Sequence, residues 1–251
     1  MDGSKLPLKT RITGLMTIRD HTFLYRPLGP SSVVVDLGAH KGEFSKRIQE
    51  RFGCRCLGVE ANPELAEVLV RGDPSSFRHY AISSNRGQFI FHLADNPLAS
   101  TLYNLDNSPF HPVSEVEVPG IPFEDLLQEF QIAHVDLLKV DIEGAEVDLF
   151  DSTSSETLSN ISQIAVEFHD FCHFISSDDV RRITDRLIDL GFFPVRFMGN
   201  ENTLFVNQGR LNLSLAQRVL LKYIFSPTRT VKRILGRARR KGLRAVHIRK
   251  R

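Results

Sequence analysis

Short apolar runs alternate along this chain with stretches of helical spacing. The clearest case is 33–35, where three β-branched residues predict a strand buried on both faces and ending at Asp36. Gly38 and Gly42 then bracket a tight turn, and residues 43–52 have the spacing of a helix. A strand, a glycine turn and a helix N-terminus together form a ligand cradle in open α/β sheets.

The same order of strand and helix recurs, and the chain then closes with two strands in succession. Residues 88–93 and 113–118 alternate polar and apolar positions, which predicts an inserted hairpin over the sheet edge or the substrate cleft. Five strand–helix units and a closing hairpin predict an α/β fold with a doubly wound, mostly parallel, Rossmann-like seven-stranded sheet and one antiparallel strand. The further predicted strands are 55–60, 77–82, 135–140, 161–168, 192–198 and 202–207, and the further helices begin at 63 and span 122–130 and 178–190.

Acidic residues end two neighbouring strands. Asp36 and Glu60 are separated by about the length of one strand–helix–strand unit, so both lie at carboxyl ends of parallel strands. The spacing D-x-G-x-x-x-G differs from the dinucleotide pattern G-x-G-x-x-G and from a phosphate-binding loop. An acid at the first position suits a ligand with an amino group, and a glutamate at the second can accept hydrogen bonds from ribose hydroxyls. These features favour S-adenosylmethionine (SAM), with Ser83 close to the adenine.

A second group of charges crowds the end of the strand at 135–140. Lys139, Asp141, Glu143 and Glu146 follow one another there, and packing gives no reason for such crowding. The alternative is a helix start with acids near its positive end, which accounts for Glu143 and Glu146 better than for Asp141. The next strand also ends in titratable groups, Glu167 and His169.

These motifs resemble those of the FkbM-type methyltransferases. The resemblance rests on V-D-L-G-A-H-K-G from residue 35, V-E-A-N-P from 59, A-S-T-L from 99, L-L-K-V-D-I-E-G-A-E from 137 and V-E-F-H from 166. It covers about residues 30–207 and implies a class I SAM-dependent methyltransferase fold and O-methylation of a hydroxyl, often on a sugar or polyketide. The candidate SAM-binding residues are Asp36, Gly38, His40, Gly42, Glu60, Ala61, Asn62, Ser83, Ser100 and Asp141.

Methyl transfer to a hydroxyl requires alignment of three atoms and removal of a proton. Two hypotheses remain open. In one, a carboxylate or His169 is the general base; in the other, Asp141, Glu167 and His169 hold a divalent cation, for which these ligands favour Mg or Mn over Zn. The candidate catalytic residues are Asp141, His169, Glu143 and Lys139.

The charge distribution separates an acidic body from a basic end. Of the 32 Lys and Arg residues, 14 follow Asn202, and no acidic residue occurs in that part of the chain. The rest of the chain contains the other 18 Lys and Arg residues and all 30 acidic residues. We therefore divide the chain into a lead-in helix or strand over one sheet edge (1–30), a methyltransferase domain (31–208) and a basic, helical or disordered tail (209–251). The tail could lie on an anionic membrane, contact RNA or act as a solubilising segment.

Three cysteines give no disulfide framework, no apolar run reaches the roughly 20 residues of a membrane helix, and no secretory signal is visible. We therefore expect a cytoplasmic protein, peripheral at the inner membrane surface if the tail binds lipid. The expected acceptor is a small molecule, a sugar or a lipid-linked compound. The alternatives are an RNA ribose methyltransferase, with nucleic acid the less favoured partner, and a non-catalytic SAM-fold module; a nicotinamide dehydrogenase is disfavoured by the glycine spacing. The oligomeric state is not readable from the sequence.

Overall fold

The computed structural model describes residues 8–95, 100–103, 111–170, 175–197 and 202–221. The tail beyond residue 221 and the first seven residues lie outside this range. The strands are β1 (Leu15–Ile18), β2 (His21–Leu24), β3 (Val33–Leu37), β4 (Arg55–Glu60), β5 (Phe77–His79), β6 (Ala81–Ile82), β7 (Gly87–Ala94), β8 (Pro112–Ile121), β9 (Leu137–Val140), β10 (Gln163–Glu167), β11 (Phe192–Arg196) and β12 (Asn202–Asn207). The helices are α1 (Leu8–Thr13), α2 (Glu43–Phe52), α3 (Pro63–Gly72), α4 (Phe123–Glu129), α5 (Glu146–Ser152), α6 (Ser155–Ser159), α7 (Ser177–Asp189) and α8 (Leu215–Leu220).

Seven strands form the central sheet in the order β11-β12-β10-β9-β3-β4-β5. Pairing is parallel from β10 through β5, whereas β12 runs antiparallel to both β10 and β11. The predicted sheet with one antiparallel strand is confirmed. From β3 the chain winds outward through β4 and β5, and from β9 it winds the other way, so a crevice opens at the carboxyl ends of β3 and β9, where ligands bind in such sheets.

Alternate residues of the inner strands feed two hydrophobic clusters. Val35 belongs to the cluster under α4, α5 and α7, whereas its neighbour Val34 belongs to a cluster with α2 and the β1–β2 hairpin. Because successive strand side chains point to opposite faces, both faces of the sheet are covered, which explains the continuous apolar runs.

The predicted strand at 77–82 is two strands in different sheets. β5 pairs with β4 in the central sheet, whereas β6 pairs in parallel with β8, which is also the antiparallel partner of β7. The chain changes sheet at Tyr80, whose N–H donates to the Glu60 carbonyl. The inserted hairpin is confirmed as β7 and β8, and its three-stranded sheet stands beside the crevice.

The sequence predicts a lead-in element over one sheet edge, but the N-terminal hairpin of β1 and β2 lies on a face of the sheet. Phe23 is fully buried and packs edge-on against Phe44 and Phe52 of α2. At the other end of the chain, Leu213 and Leu221 are buried in the same cluster. Within the described residues, no helix combines the length and apolarity needed to cross a bilayer.

Candidate active site

The turn after β3 lies directly against the end of β9. Gly38, His40 and Gly42 all have positive φ, and the N–H groups of Gly38 and Ala39 donate to the Val59 carbonyl. A Cβ at Gly38 would stand 1.9 Å from the carbonyl oxygen of Asp141. The first glycine of the motif is therefore required by close approach of two backbones as well as by its φ.

A pocket that is open to solvent occupies the crevice beside this turn. Charged side chains at the ends of the central strands line the pocket together with apolar side chains from the second sheet and α3. The lining residues are Gly38, His40, Val59, Glu60, Ala61, Asn62, Leu65, Tyr80, Ala81, Ile82, Phe91, Ser100, Leu102, Asp141, Ile142, Glu143 and Ala145.

Glu60 lines this pocket. One carboxylate oxygen accepts a hydrogen bond from the His40 backbone N–H at 2.7 Å, and the other accepts from the Asn62 N–H at 2.8 Å. Burial raises the pKa of Glu60 even though both backbone bonds oppose the shift. The Asn62 side chain caps α3 by accepting from the N–H groups of Glu64 and Leu65.

Asp36 lies beneath the pocket and is not among its lining residues. Its carboxylate accepts from the Ser45 hydroxyl at 2.7 Å and pairs with the Lys139 ammonium at 3.2 Å. Lys139 donates in turn to the Gly38 carbonyl at 2.6 Å. Burial would lower the pKa of Lys139, but Asp36 and Asp141 raise it, so the ammonium stays charged. In this structure the acid at the end of β3 fixes the glycine turn from below.

Asp141 lines the pocket and has three basic neighbours. Its carboxylate lies 3.4 Å from Lys139 Nζ, 3.2 Å from His21 Nε2 and 3.6 Å from His169 Nε2. Burial would raise the pKa of Asp141, but Lys139 and then His21 outweigh it and hold that pKa below its usual value. Asp141 is therefore an ionised carboxylate.

His169 is buried and does not line the pocket. Its Nδ1 lies 2.7 Å from Glu146, which is fully buried, and its Nε2 lies 3.3 Å from Glu143. Burial would lower the pKa of His169, but Glu146 and Glu143 raise it far above its usual value. His169 is thus an imidazolium at neutral pH, a state that cannot accept a proton. Glu143 does line the pocket, and burial raises the pKa of its carboxyl group.

The structure does not gather the predicted metal ligands into one group. Glu167 joins Asp141 and His21, whereas His169 joins Asp141 and Glu143. The Asp141 oxygen nearest to His21 is also the one that contacts Lys139. Because the Lys139 ammonium group already shares that carboxylate, these side chains fit a resident cation poorly.

Some of the other predicted residues line the pocket, and the rest lie in the structure around it. Ser100, Ala61 and Asn62 line the pocket, whereas Gly42 precedes α2, and Ser83 is buried with its hydroxyl donating to the Asn85 carbonyl. Sequence reasoning placed the inserted hairpin over the sheet edge or the cleft, but it did not single out Tyr80, Phe91 and Leu102 as residues that line the pocket. It also missed His21.

This sheet order, with a glycine turn and a strand-end glutamate at the crevice, is the class I SAM-dependent methyltransferase fold. The chain belongs to the FkbM methyltransferase family, since the family model described as "Methyltransferase FkbM domain" matches residues 36–194. The match spans β3 to the start of β11 and includes the predicted site residues.

Solved structures of methyltransferases are similar to the chain at low identity. An FkbM methyltransferase from Methylobacillus flagellatus is 13% identical with a TM-score of 0.45, over 71% of this chain and 44% of that one. A TehB-like SAM-dependent methyltransferase from Corynebacterium glutamicum is 13% identical (TM-score 0.35, 70% and 80% covered). TrmK from M. capricolum, solved with S-adenosylhomocysteine, is 8% identical (TM-score 0.38, 85% and 74% covered). This chain thus spans less than half the length of the Methylobacillus protein. Among curated proteins, none matches the chain.

Proposed function

We propose that this protein is a SAM-dependent O-methyltransferase that acts on a hydroxyl of a sugar, glycan or related natural-product acceptor. The observation that carries the proposal is that Glu60 and Asp141, from strands on either side of β3, line one pocket against the Gly38 turn. Family membership supports methyl transfer, and the residues at the pocket support the choice of donor.

The charges around the pocket favour a cationic ligand. Glu60, Asp141 and Glu143 line it, and buried Asp36 and Glu146 stand behind them, against the cations Lys139 and His169. SAM carries an ammonium and a sulfonium, and it supplies the methyl group. An excess of carboxylates attracts such a ligand. Ribose hydroxyls that donate to Glu60 would offset part of the cost of its burial.

Glu143 is the better candidate for the general base. A base works best when its pKa lies near the working pH. The raised pKa of Glu143 is closer to neutrality than the lowered pKa of Asp141, and His169 holds the Glu143 carboxylate in place at 3.3 Å. In this scheme Glu143 takes the hydroxyl proton and Asp141 remains ionised beside the reacting atoms.

Calorimetry tests the donor site directly. We expect the full chain to bind SAM and S-adenosylhomocysteine but not NAD⁺, and Glu60→Gln to weaken SAM binding at least about tenfold, because a side-chain amide cannot accept from both backbone N–H groups. Glu64→Gln, an exposed change two residues beyond the pocket-lining Asn62, is the matched control and should bind normally. A wild-type chain without affinity for SAM would rule out the proposal.

An acceptor screen with methyl-labelled SAM tests the reaction. Label should appear in a sugar-containing or other hydroxyl acceptor, and Glu143→Gln should lower kcat roughly 10²-fold or more while SAM still binds. Label recovered in RNA instead would replace the proposed acceptor by a ribose hydroxyl.

A further inference from the structure

His21 reaches the site from the N-terminal hairpin. Its Nε2 lies 3.2 Å from the Asp141 carboxylate, and its ring stands edge-on to Phe44 at 5.8 Å. Its Nδ1 is buried and has no hydrogen-bond partner among the described residues. Burying a polar nitrogen without a hydrogen-bond partner costs free energy. A phenylalanine or leucine would pack here without that cost, so the presence of a histidine needs an explanation. The gain from a histidine is its contact with Asp141.

The hairpin that carries His21 is fastened to the sheet by polar groups. The Gln163 side chain, fully buried on β10, accepts from the Leu24 N–H at 2.9 Å and donates to the Leu24 carbonyl at 3.0 Å. Asn202 of β12 donates to the Asp20 carbonyl at 3.2 Å. These bonds on either side of His21 fix its backbone, and Phe44 fixes its ring.

We infer that His21 is a positioning residue that holds the Asp141 carboxylate in place in the donor pocket, so that residues 15–24 complete the active site. This inference rests on the proposed function. Asp141 also faces Lys139 on its own strand, His169 and Glu143, but these belong to the sheet and the loops that follow it. His21 comes from the N-terminal hairpin instead and lies ahead of residues 36–194, which match the family.

The test measures SAM affinity of full-length variants by calorimetry. His21→Phe keeps the ring against Phe44 but removes Nε2, and it should weaken SAM binding roughly fivefold to tenfold, the scale of the net contribution of one typical hydrogen bond. His21→Gln keeps a donor at the reach of Nε2 and should restore most of the affinity. Thr17→Val is the control: it removes the Thr17–Thr22 hydrogen bond of the same hairpin at 2.8 Å, and it should leave SAM affinity unchanged.

A double-mutant cycle shows whether His21 acts through Asp141. In an Asp141→Asn background, His21→Phe should have little further effect on SAM affinity, whereas a merely structural role would give the same loss in both backgrounds. Wild-type affinity in His21→Phe, or equal losses in both backgrounds, would overturn the inference even when SAM binds. Failure of the wild-type chain to bind SAM would instead overturn the proposed function.

Discussion

At the scale of single residues, Gly38 leaves no room for a side chain. Its φ of +77° is unfavourable for other residues, and an added Cβ would overlap the Asp141 carbonyl oxygen. We expect Gly38→Ala to lower the free energy of unfolding by at least ~2 kcal/mol and to weaken SAM binding. Gly29→Ala, where nothing lies within 4 Å of the new methyl group, should stay within about 0.5 kcal/mol of wild type. Urea unfolding and calorimetry measure both quantities.

The His169–Glu146 pair should make stability depend on pH with a definite sign. Because the pKa of His169 is raised in the folded state, its contribution is complete below the unfolded pKa, about 6.5, and declines as the pH rises toward the folded pKa. His169→Gln leaves Glu146 buried without its cation and should cost about 3 kcal/mol near pH 6. The loss should shrink by pH 9.

Urea unfolding at pH 6, 7.5 and 9 checks this dependence. His111→Gln, at an exposed histidine, is the control and should follow wild type at every pH. A His169→Gln penalty that is constant or grows with pH would contradict the buried imidazolium.

Sequence reasoning found the acids of the site but could not assign their partners. The strand-end position of Asp36 and Glu60 follows from the local pattern, yet Glu60 faces the pocket while Asp36 faces Lys139 and Ser45. That difference depends on which side chains β9 and α2 bring beneath the turn, which a local motif does not encode. His21 gave no local signal because its partner Asp141 is 120 positions away.

At the scale of elements, the N-terminus of α3 connects helix stability to the pocket. Asn62 caps the helix with its side chain, while its backbone N–H donates to Glu60. Asn62→Ala should cost about 1 kcal/mol of stability and also weaken SAM binding, since the residue lines the pocket. Ser154→Ala removes the cap of α6 and should cost a similar amount without affecting SAM. Equal SAM affinity in the two variants would show that the cap and the pocket are independent.

The predicted positions of elements were wrong where pairing with a second sheet or contact with a distant residue decides the structure. Residues 77–82 were predicted to form one continuous strand. Their apolar pattern carries no information on the pairing partner, and Ala81 pairs with Gly120 of β8 rather than with β4. The hairpin of residues 15–24 could not be placed from sequence, because Gln163 fixes it by hydrogen bonds to Leu24. The parallel units were predictable, since each carries its own strand, turn and helix signals.

At the scale of the whole molecule, the pocket is assembled from two sheets with different tasks. The central sheet brings charged groups to the crevice at the ends of β3, β4 and β9, and the three-stranded sheet adds the apolar residues Ile82 and Phe91. A donor with a charged amino-acid end and a flat base suits such a division.

The charge separation along the chain predicts membrane binding by the basic end. Of the 14 Lys and Arg residues after Asn202, 12 follow residue 221, and the rest of the chain is acidic. Each basic residue near an anionic surface contributes about 1 kcal/mol, an attraction that salt screens. We expect the full chain to float with vesicles containing phosphatidylserine or phosphatidylglycerol at low salt, and to be released at high salt or from neutral vesicles.

The matched control for flotation is a chain of residues 1–221 rather than 1–208, because Leu213 and Leu221 are buried in the core and a shorter chain would expose their partners. The 1–221 chain should stay in the soluble fraction while binding SAM like the full chain. Equal flotation of both chains would place lipid binding on the folded body, and flotation of neither would contradict the prediction. Where the full chain floats, RNA added as a competitor shows which ligand the basic end prefers, since a segment that prefers nucleic acid would leave the vesicles for RNA at the same ionic strength.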